Sequence, residues 1–150
     1  MSEDQLNIII RPYKAVQDEA LIYSTWRNGM FYGNKINKKK KADQFFSEFT
    51  NKIKIILSNS DVRIACMQDT PQVIVGYCVY TGDHLHWVYV KPDPFRKKGI
   101  ATLLVPKHIK TVPWELTKIG EEIARKKNLK KENPSWILPT PPQTLPDWPA

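Results

Sequence analysis

The stretch that decides the fold reads VYVKPDPFRKKGIATLL and runs from Val88 to Leu104. One apolar run ends at Lys91, and a second begins after Gly99. A strand, a basic glycine-containing turn and a helix in this order favour a phosphate-binding site. The reason is that a helix N-terminus presents unpaired N–H groups and the positive end of a dipole. The glycine lets the backbone approach the phosphates closely.

The composition predicts one globular domain: 150 residues, of which 41% are hydrophobic and 25% charged. No apolar stretch has membrane-spanning length, and the opening MSEDQLNIII lacks the layout of a signal peptide. We therefore expect a cytoplasmic protein with no membrane partner. Cys66 and Cys78 lie in apolar runs and are expected to be buried free thiols. No grouping of histidines and cysteines has the spacing of a metal site.

The net charge of +8 favours an anionic partner, such as a nucleotide cofactor, a nucleic acid or an acidic protein. The charge is concentrated in NKINKKKK, residues 34–41, and in RKKNLKK, residues 125–131. Runs of this kind are usually solvated loops or helix faces and less often nucleic-acid patches. Both interpretations stay open at this point.

Hydrophobic periodicity gives the order β-α-α-β-β-β-α-β-α, an α+β fold with a mixed, mainly antiparallel central sheet flanked by helices. The predicted elements are a strand in 6–13, helices in 17–32 and 42–57, strands in 62–68, 73–81 and 85–90, a helix in 99–105, a strand in 107–112 and a helix in 114–128.

Three local features and the domain limits complete the prediction. Gly29 and Gly33 are expected to break the first helix, Asp43 to cap the second, and the lysine-rich segment between the two helices to form a mobile loop. Residues 1–133 form the domain. Residues 134–150 contain six prolines in seventeen residues and form an extended C-terminal tail.

The opening stretch resembles motif A of the GNAT superfamily, the acetyl-CoA-dependent N-acetyltransferases. That motif is a strand, then Arg/Gln-x-x-Gly-x-Gly/Ala, then a helix, and Arg96, Gly99 and Ala101 match it. The preceding meander and the two early helices follow the GNAT order, so the resemblance covers about residues 6–112. KPDPF is one residue longer than usual, and Pro106 shortens the helix.

A narrower resemblance involves IYSTWRNGMFYGN, the whole segment 73–104 and the late NPSWIL. Together these segments are similar to small GNAT-like proteins carried by phages and prophages. For a phage-encoded chain, this implies a location in the cytoplasm of the host.

The GNAT resemblance implies acetyl-CoA as the cofactor. Tyr89 and Val90 would pair with its pantetheine arm, and the turn that follows would hold the pyrophosphate through backbone N–H groups and basic side chains. The cofactor-binding residues implied in this way are Tyr89, Val90, Arg96, Lys97, Lys98, Gly99, Ile100, Ala101 and Thr102.

Acetyl transfer needs a base that deprotonates the acceptor amine. Several GNATs have a glutamate six residues before the pantetheine-contacting end of the strand, and His84 occupies that position here. His86 is expected on the same face, since strand side chains alternate, and imidazole titrates in the right range. His84 and His86 are therefore the candidate catalytic residues, with partly exposed strand-end histidines as the alternative. The tyrosine that usually protonates the leaving thiolate has no counterpart, because no tyrosine follows Tyr89.

Three functions remain open. The first is an N-acetyltransferase acting on the amine of a small molecule, a protein or a nucleotide. The second is a catalytically weak GNAT-fold binding protein of phage origin that acts on a host protein or nucleic acid. The third is a nucleic-acid binder that uses the two basic segments. The tail is a candidate for homodimer formation. The aromatic residues that are candidates for an acceptor site, with core packing as the alternative, are Trp26, Phe31, Tyr32 and Trp87.

Overall fold

A computed structural model of the chain describes residues 7–33, 37–92 and 99–133. Six strands and four helices lie in these residues. The elements are β1 Ile8–Pro12, α1 Ala15–Tyr32, a 3-10 turn Asn37–Lys39, α2 Ala42–Ser58, β2 Asp61–Met67, β3 Ile74–Thr81, β4 His84–Val90, α3 Ile100–Leu104, β5 Thr111–Val112, α4 Lys118–Lys126 and β6 Lys130–Lys131.

The six strands form a single sheet in which each strand neighbours the next one along the chain. Strands β1 to β4 are an antiparallel meander, whereas β5 pairs parallel with β4 and β6 pairs parallel with β5. The expected α+β fold with a mixed, mainly antiparallel sheet flanked by helices is confirmed.

The sheet separates two hydrophobic cores. Alternating residues of β3 show the division, because Tyr77 and Val79 belong to the core under α1 and α2, while Cys78 belongs to the core under α3 and α4. The expectation that Cys66 and Cys78 are buried free thiols is confirmed. No helix among the described residues is long and apolar enough to cross a membrane.

The prediction that Gly29 breaks the first helix is wrong. Helix α1 continues through Gly29 to Tyr32, and Gly33 follows as its C-terminal cap. A glycine inside a helix costs about 1 kcal/mol relative to alanine. Here a Cβ atom on Gly29 would lie 2.6 Å from Cη2 of Trp87, so the glycine allows α1 to approach β4 closely.

The prediction that Asp43 caps α2 is also wrong. Lys41 occupies the N-cap position without a side-chain hydrogen bond, and Asp43 lies in the first turn, where its charge suits the helix dipole. The lysine-rich segment is not simply a loop, because Asn37–Lys39 form a 3-10 turn. The Asn37 side chain is buried and donates a hydrogen bond to the Met30 carbonyl at 2.9 Å. Residues 34–36 lie outside the described residues.

The C-terminal third contains the largest differences from the prediction. The expected strand in 107–112 is reduced to Thr111–Val112, because residues 106–109 form a turn that is closed by Ile109 N–H and the Pro106 carbonyl. Helix α4 begins at Lys118 rather than near 114, and Thr117 caps it by accepting from Gly120 N–H. The sequence did not predict β6. The tail, residues 134–150, lies outside the described residues.

Candidate active site

Strand β4 carries a one-residue bulge and separates from β5 along much of its length. Its register against β3 pairs Trp87 with Val79 but Leu85 with Tyr80, so that His86 is the additional residue. Towards β5 the ladder consists of one pair, His84 with Thr111. A bulge bends a strand and increases its twist, which moves the second half of β4 away from the chain that follows β5.

The separation produces a groove with a volume of about 570 Å³. Helix α1 forms one wall, the second half of β4 the floor and the start of α4 the opposite wall. This volume lies in the range of small-molecule binding sites. The lining residues are Thr25, Asn28, Gly29, Tyr32 and Gly33 from α1 and its cap, Trp87, Val88, Tyr89 and Pro92 from β4 and beyond, and Thr117, Lys118 and Ile119 from the start of α4.

Stacking and hydrogen bonds among buried aromatic side chains fix the position of Trp87 in the floor of the groove. The Trp87 ring stacks on Trp26, with centroids 5.8 Å apart and planes 6° apart. Its Nε1–H donates to the Tyr77 hydroxyl oxygen at 2.9 Å. That hydroxyl also lies 2.7 Å from the Thr25 hydroxyl of α1, which joins the sheet to the wall of the groove. Burial raises the pKa of Tyr77, so the phenol stays protonated.

Gly99 is the residue directly before α3, at its N-cap position. Gly99 has φ of +80°, a left-handed conformation that glycine adopts readily. Apart from its chain neighbours and the backbone of α3, no described atom lies within 4 Å of a Cβ built on Gly99.

The other predicted cofactor residues are placed in different surroundings. Ile100 is buried in the core, Ala101 is half-buried and Thr102 is exposed. Tyr89 lines the groove, whereas the Val90 side chain is buried in the core under α3 and α4. Residues 96–98, which include Arg96, Lys97 and Lys98, lie outside the described residues.

The two candidate bases lie close together in the first half of β4. The rings of His84 and His86 have centroids 4.8 Å apart, and each residue is 6% exposed. The alternative that they are partly exposed strand-end residues is wrong. His84 Nδ1 lies 2.7 Å from the Thr111 hydroxyl, and His86 Nε2 lies 2.9 Å from the Thr81 hydroxyl.

Burial keeps both imidazoles neutral. Burial lowers the pKa of His84, and it lowers the pKa of His86 to about 3, with smaller contributions from electrostatic interaction with His84 and with Lys52. His86 lines a small cavity of about 20 Å³ beside the groove, rather than the groove itself. A space of this size accommodates one water molecule. Trp87, Val88 and Thr117 line both spaces.

Several groove residues were not found from the sequence. Gly29 and Gly33, four residues apart, signal a helix face that another element approaches closely, but we read them as helix breakers. Thr117 is a residue type favoured at N-caps, but the residue three positions later is Gly120 rather than a glutamate, so the sequence signal for this helix start is weak. Of the four aromatic candidates, Tyr32 and Trp87 line the groove; Trp26 and Phe31 are core residues.

Comparisons with known proteins identify the fold. A possible acetyltransferase from Clostridium difficile 630 matches with a TM-score of 0.53 and 16% identity, over 93% of this chain and 100% of that one. Neither a model of a protein family nor a curated protein sequence matches the chain.

Two further solved structures are similar over parts of their length. The glucosamine N-acetyltransferase region of a fungal multi-domain β-N-acetylglucosaminidase has a TM-score of 0.48 and 17% identity, over 87% of this chain and 14% of that one. A GNAT superfamily phosphinothricin acetyltransferase from Sinorhizobium meliloti, solved in complex with acetyl-CoA, has a TM-score of 0.43 and 15% identity, over 66% of this chain and 56% of that one. The likeness to the possible acetyltransferase from Clostridium difficile 630 shows the GNAT-like fold that the sequence predicts.

Proposed function

We propose that the protein transfers an acetyl group from acetyl-CoA to a primary amine. The observation that carries the proposal is the groove between the second half of β4 and the start of α4, in a fold whose neighbours are acetyltransferases. Because one fold can host many functions, the proposal depends on this site and not on the fold alone. The left-handed conformation of Gly99, with no other described element near its Cβ position, supports the cofactor assignment.

The cofactor would be held by the end of β4 and the turn that follows. Backbone N–H groups from Lys97 to Thr102 and the basic side chains of residues 96–98 would bind the pyrophosphate, and Tyr89 and Val90 would lie beside the pantetheine arm. Acetyl-CoA would supply an activated thioester, from which the acetyl group passes to the amine nitrogen while coenzyme A leaves as the free thiol. The acceptor amine would lie in the groove.

His84 and His86 are the proposed route for the proton that leaves the amine. Burial keeps both rings neutral, which is the state that accepts a proton. The cavity beside His86 has room for one water molecule, which would connect the imidazole with the groove. The low pKa of His86 limits its strength as a base, so proton transfer is expected to limit the rate. The narrower resemblance to phage and prophage proteins places the reaction in a host cell, and it stays a prediction.

Titration calorimetry with acetyl-CoA tests the proposal. The wild-type protein is expected to bind acetyl-CoA saturably, and Gly99→Trp is expected to lose binding, because the side chain would occupy the position proposed for the pyrophosphate. The matched control is Gly82→Trp in the β3–β4 turn. Gly82 also has positive φ, +57°, and open space among the described residues, so its substitution causes similar backbone strain away from the cradle.

Three outcomes of this titration are distinguishable. Binding by the wild type and Gly82→Trp, but not by Gly99→Trp, supports the proposed cradle. Loss of binding in both variants would show that the strain, and not the site, is responsible, and the cradle assignment would then be wrong. A wild-type protein that shows neither heat nor thermal stabilisation at millimolar acetyl-CoA would overturn the proposed function.

A further inference from the structure

The groove has aromatic side chains on two different elements. Tyr32 from α1 is 58% exposed, and Trp87 and Tyr89 come from β4. The stack on Trp26 and the hydrogen bond to Tyr77 fix the orientation of the Trp87 ring. Tyr89 lies against Tyr77, with ring centroids 5.6 Å apart. Side chains that are already held in place lose little entropy when a ligand binds.

The charged side chains that line the groove bear on which acceptor it binds. Among the described residues that line it, Lys118 is charged and none is an aspartate or a glutamate. The nearby Glu115 lines the smaller cavity beside His86 instead. Among the described lining residues, an acceptor with several positive charges, such as a polyamine or a lysine-rich peptide, would therefore meet a lysine and no carboxylate.

The α1 wall of the groove lacks side chains at two positions close to the aromatic residues. Gly29 and Gly33 lie one turn apart on α1, next to Tyr32, and neither has a side chain to project into the groove. A substituent on Gly29 would also displace Trp87, since its Cβ would lie 2.6 Å from the ring. The arrangement suits a flat ligand that lies between α1 and β4.

We infer that the acceptor is a primary amine carried on a flat aromatic group, which contacts Tyr32, Trp87 and Tyr89 while the amine points towards the cavity beside His86. The inference rests on the proposed acetyl transfer and specifies its substrate class. Offset-stacked and edge-to-face aromatic contacts favour such a ligand over an aliphatic amine of similar size. Lys118 discriminates against polycationic acceptors.

The test uses phenethylamine as the probe, with spermidine as the comparison. Binding is measured by calorimetry in the presence of coenzyme A, which has no acetyl group to transfer, so that affinity is separated from turnover. We expect saturable binding of phenethylamine and weaker or absent binding of spermidine. Tyr32→Ala is expected to weaken phenethylamine binding by about fivefold, the size of one aromatic contact.

The matched control is Trp114→Ala. Trp114 is also a largely exposed aromatic residue, at 62%, but it does not line the groove. Trp114→Ala is therefore expected to keep wild-type affinity. Equal losses in the two variants, or no loss in Tyr32→Ala, would place phenethylamine elsewhere and overturn the inference.

A second measurement separates this inference from the proposed function. Release of free thiol from acetyl-CoA is followed with each amine in turn. Thiol release with spermidine but not with phenethylamine overturns the aromatic acceptor and leaves acetyl transfer intact. Binding of phenethylamine through Tyr32 without thiol release from acetyl-CoA with either amine supports the aromatic ligand and contradicts the proposed function.

Discussion

At the scale of single residues, burial decides the chemistry of the two histidines. A free imidazole titrates near neutral pH. His86 is instead buried beside His84 and Thr81, and its pKa falls to about 3, through burial first and then through electrostatic interaction with His84 and Lys52. Glu115 lines the same small cavity. The sequence places both histidines on β4 but contains no local signal of their burial.

The depressed pKa predicts that the protein loses stability in mild acid. Below pH ~6.5 the histidine of the unfolded chain binds a proton, while the folded His86 stays neutral until about pH 3. Stability therefore falls as pH decreases through this window. Between pH 7 and pH 5 the contribution of His86 amounts to about 2 kcal/mol. Urea unfolding of His86→Gln is expected to show a pH dependence that is smaller by this amount.

The control for this measurement is His108→Gln. His108 is exposed and lies on the turn before β5. Its variant is measured in parallel with His86→Gln. An unchanged pH dependence in His86→Gln would contradict the lowered pKa of this residue.

At the scale of elements, α3 is a five-residue helix that depends on the sheet for its position. Pro106 follows it closely and prevents its extension. The Arg63 guanidinium on β2 donates from Nε to the Leu104 carbonyl at 2.8 Å and from Nη2 to the Leu103 carbonyl at 3.2 Å. The Cys78 thiol also donates to Leu104, and burial raises its pKa to about 12, which keeps it protonated.

Arg63 is therefore expected to position the helix that carries the proposed cradle. Arg63→Ala removes a cation and two donors from the C-terminal end of α3, and we expect a loss of about 2 kcal/mol of stability together with weaker acetyl-CoA binding. Arg63→Lys retains the charge but has a single donor group. We therefore expect its stability and its affinity for acetyl-CoA to lie between those of Arg63→Ala and those of the wild type.

Denaturant unfolding and calorimetry with acetyl-CoA measure the two effects of Arg63 separately. If Arg63→Ala loses stability while its acetyl-CoA dissociation constant equals that of the wild type, Arg63 stabilises the sheet and does not position the cradle. A parallel loss of stability and affinity supports the positioning role.

At the scale of the whole molecule, two hydrophobic cores pack on opposite faces of one sheet, and each core positions a different part of the proposed site. The core under α1 and α2 contains the aromatic arrangement that forms the groove floor. The core under α3 and α4 holds the helix next to Gly99. Since adjacent residues of each central strand face opposite cores, a change in one core is transmitted to the other through the shared strands.

This shared sheet predicts cooperative unfolding of both cores. Ile53 and Leu104 are fully buried, one on each side of the sheet. Ile53→Ala and Leu104→Ala are each expected to cost about 3 kcal/mol, from lost burial and the cavity that remains. In each variant the transitions by tryptophan fluorescence and by circular dichroism should move together. Transitions that separate in either variant would show that the two cores unfold independently.

The sequence alone determined the order of the main elements and their broad class. Strand alternation, helical periodicity and turn residues are local, so the meander β2–β4 and helices α1 and α2 follow from the residues themselves. The same local information located the glycine turn before α3. It did not reveal β6, which is two residues long and exists through its pairing with β5.

The tertiary structure decided the groove, the burial of the histidines and the role of the glycines in α1. Gly29 lies next to Trp87 only because α1 packs on β4, more than fifty residues later along the chain. Thr117 forms the opposite wall only because the β4 bulge and the short β5 separate the strands. Such contacts join segments that are far apart along the chain but close in space. A pattern of neighbouring residues does not encode this proximity.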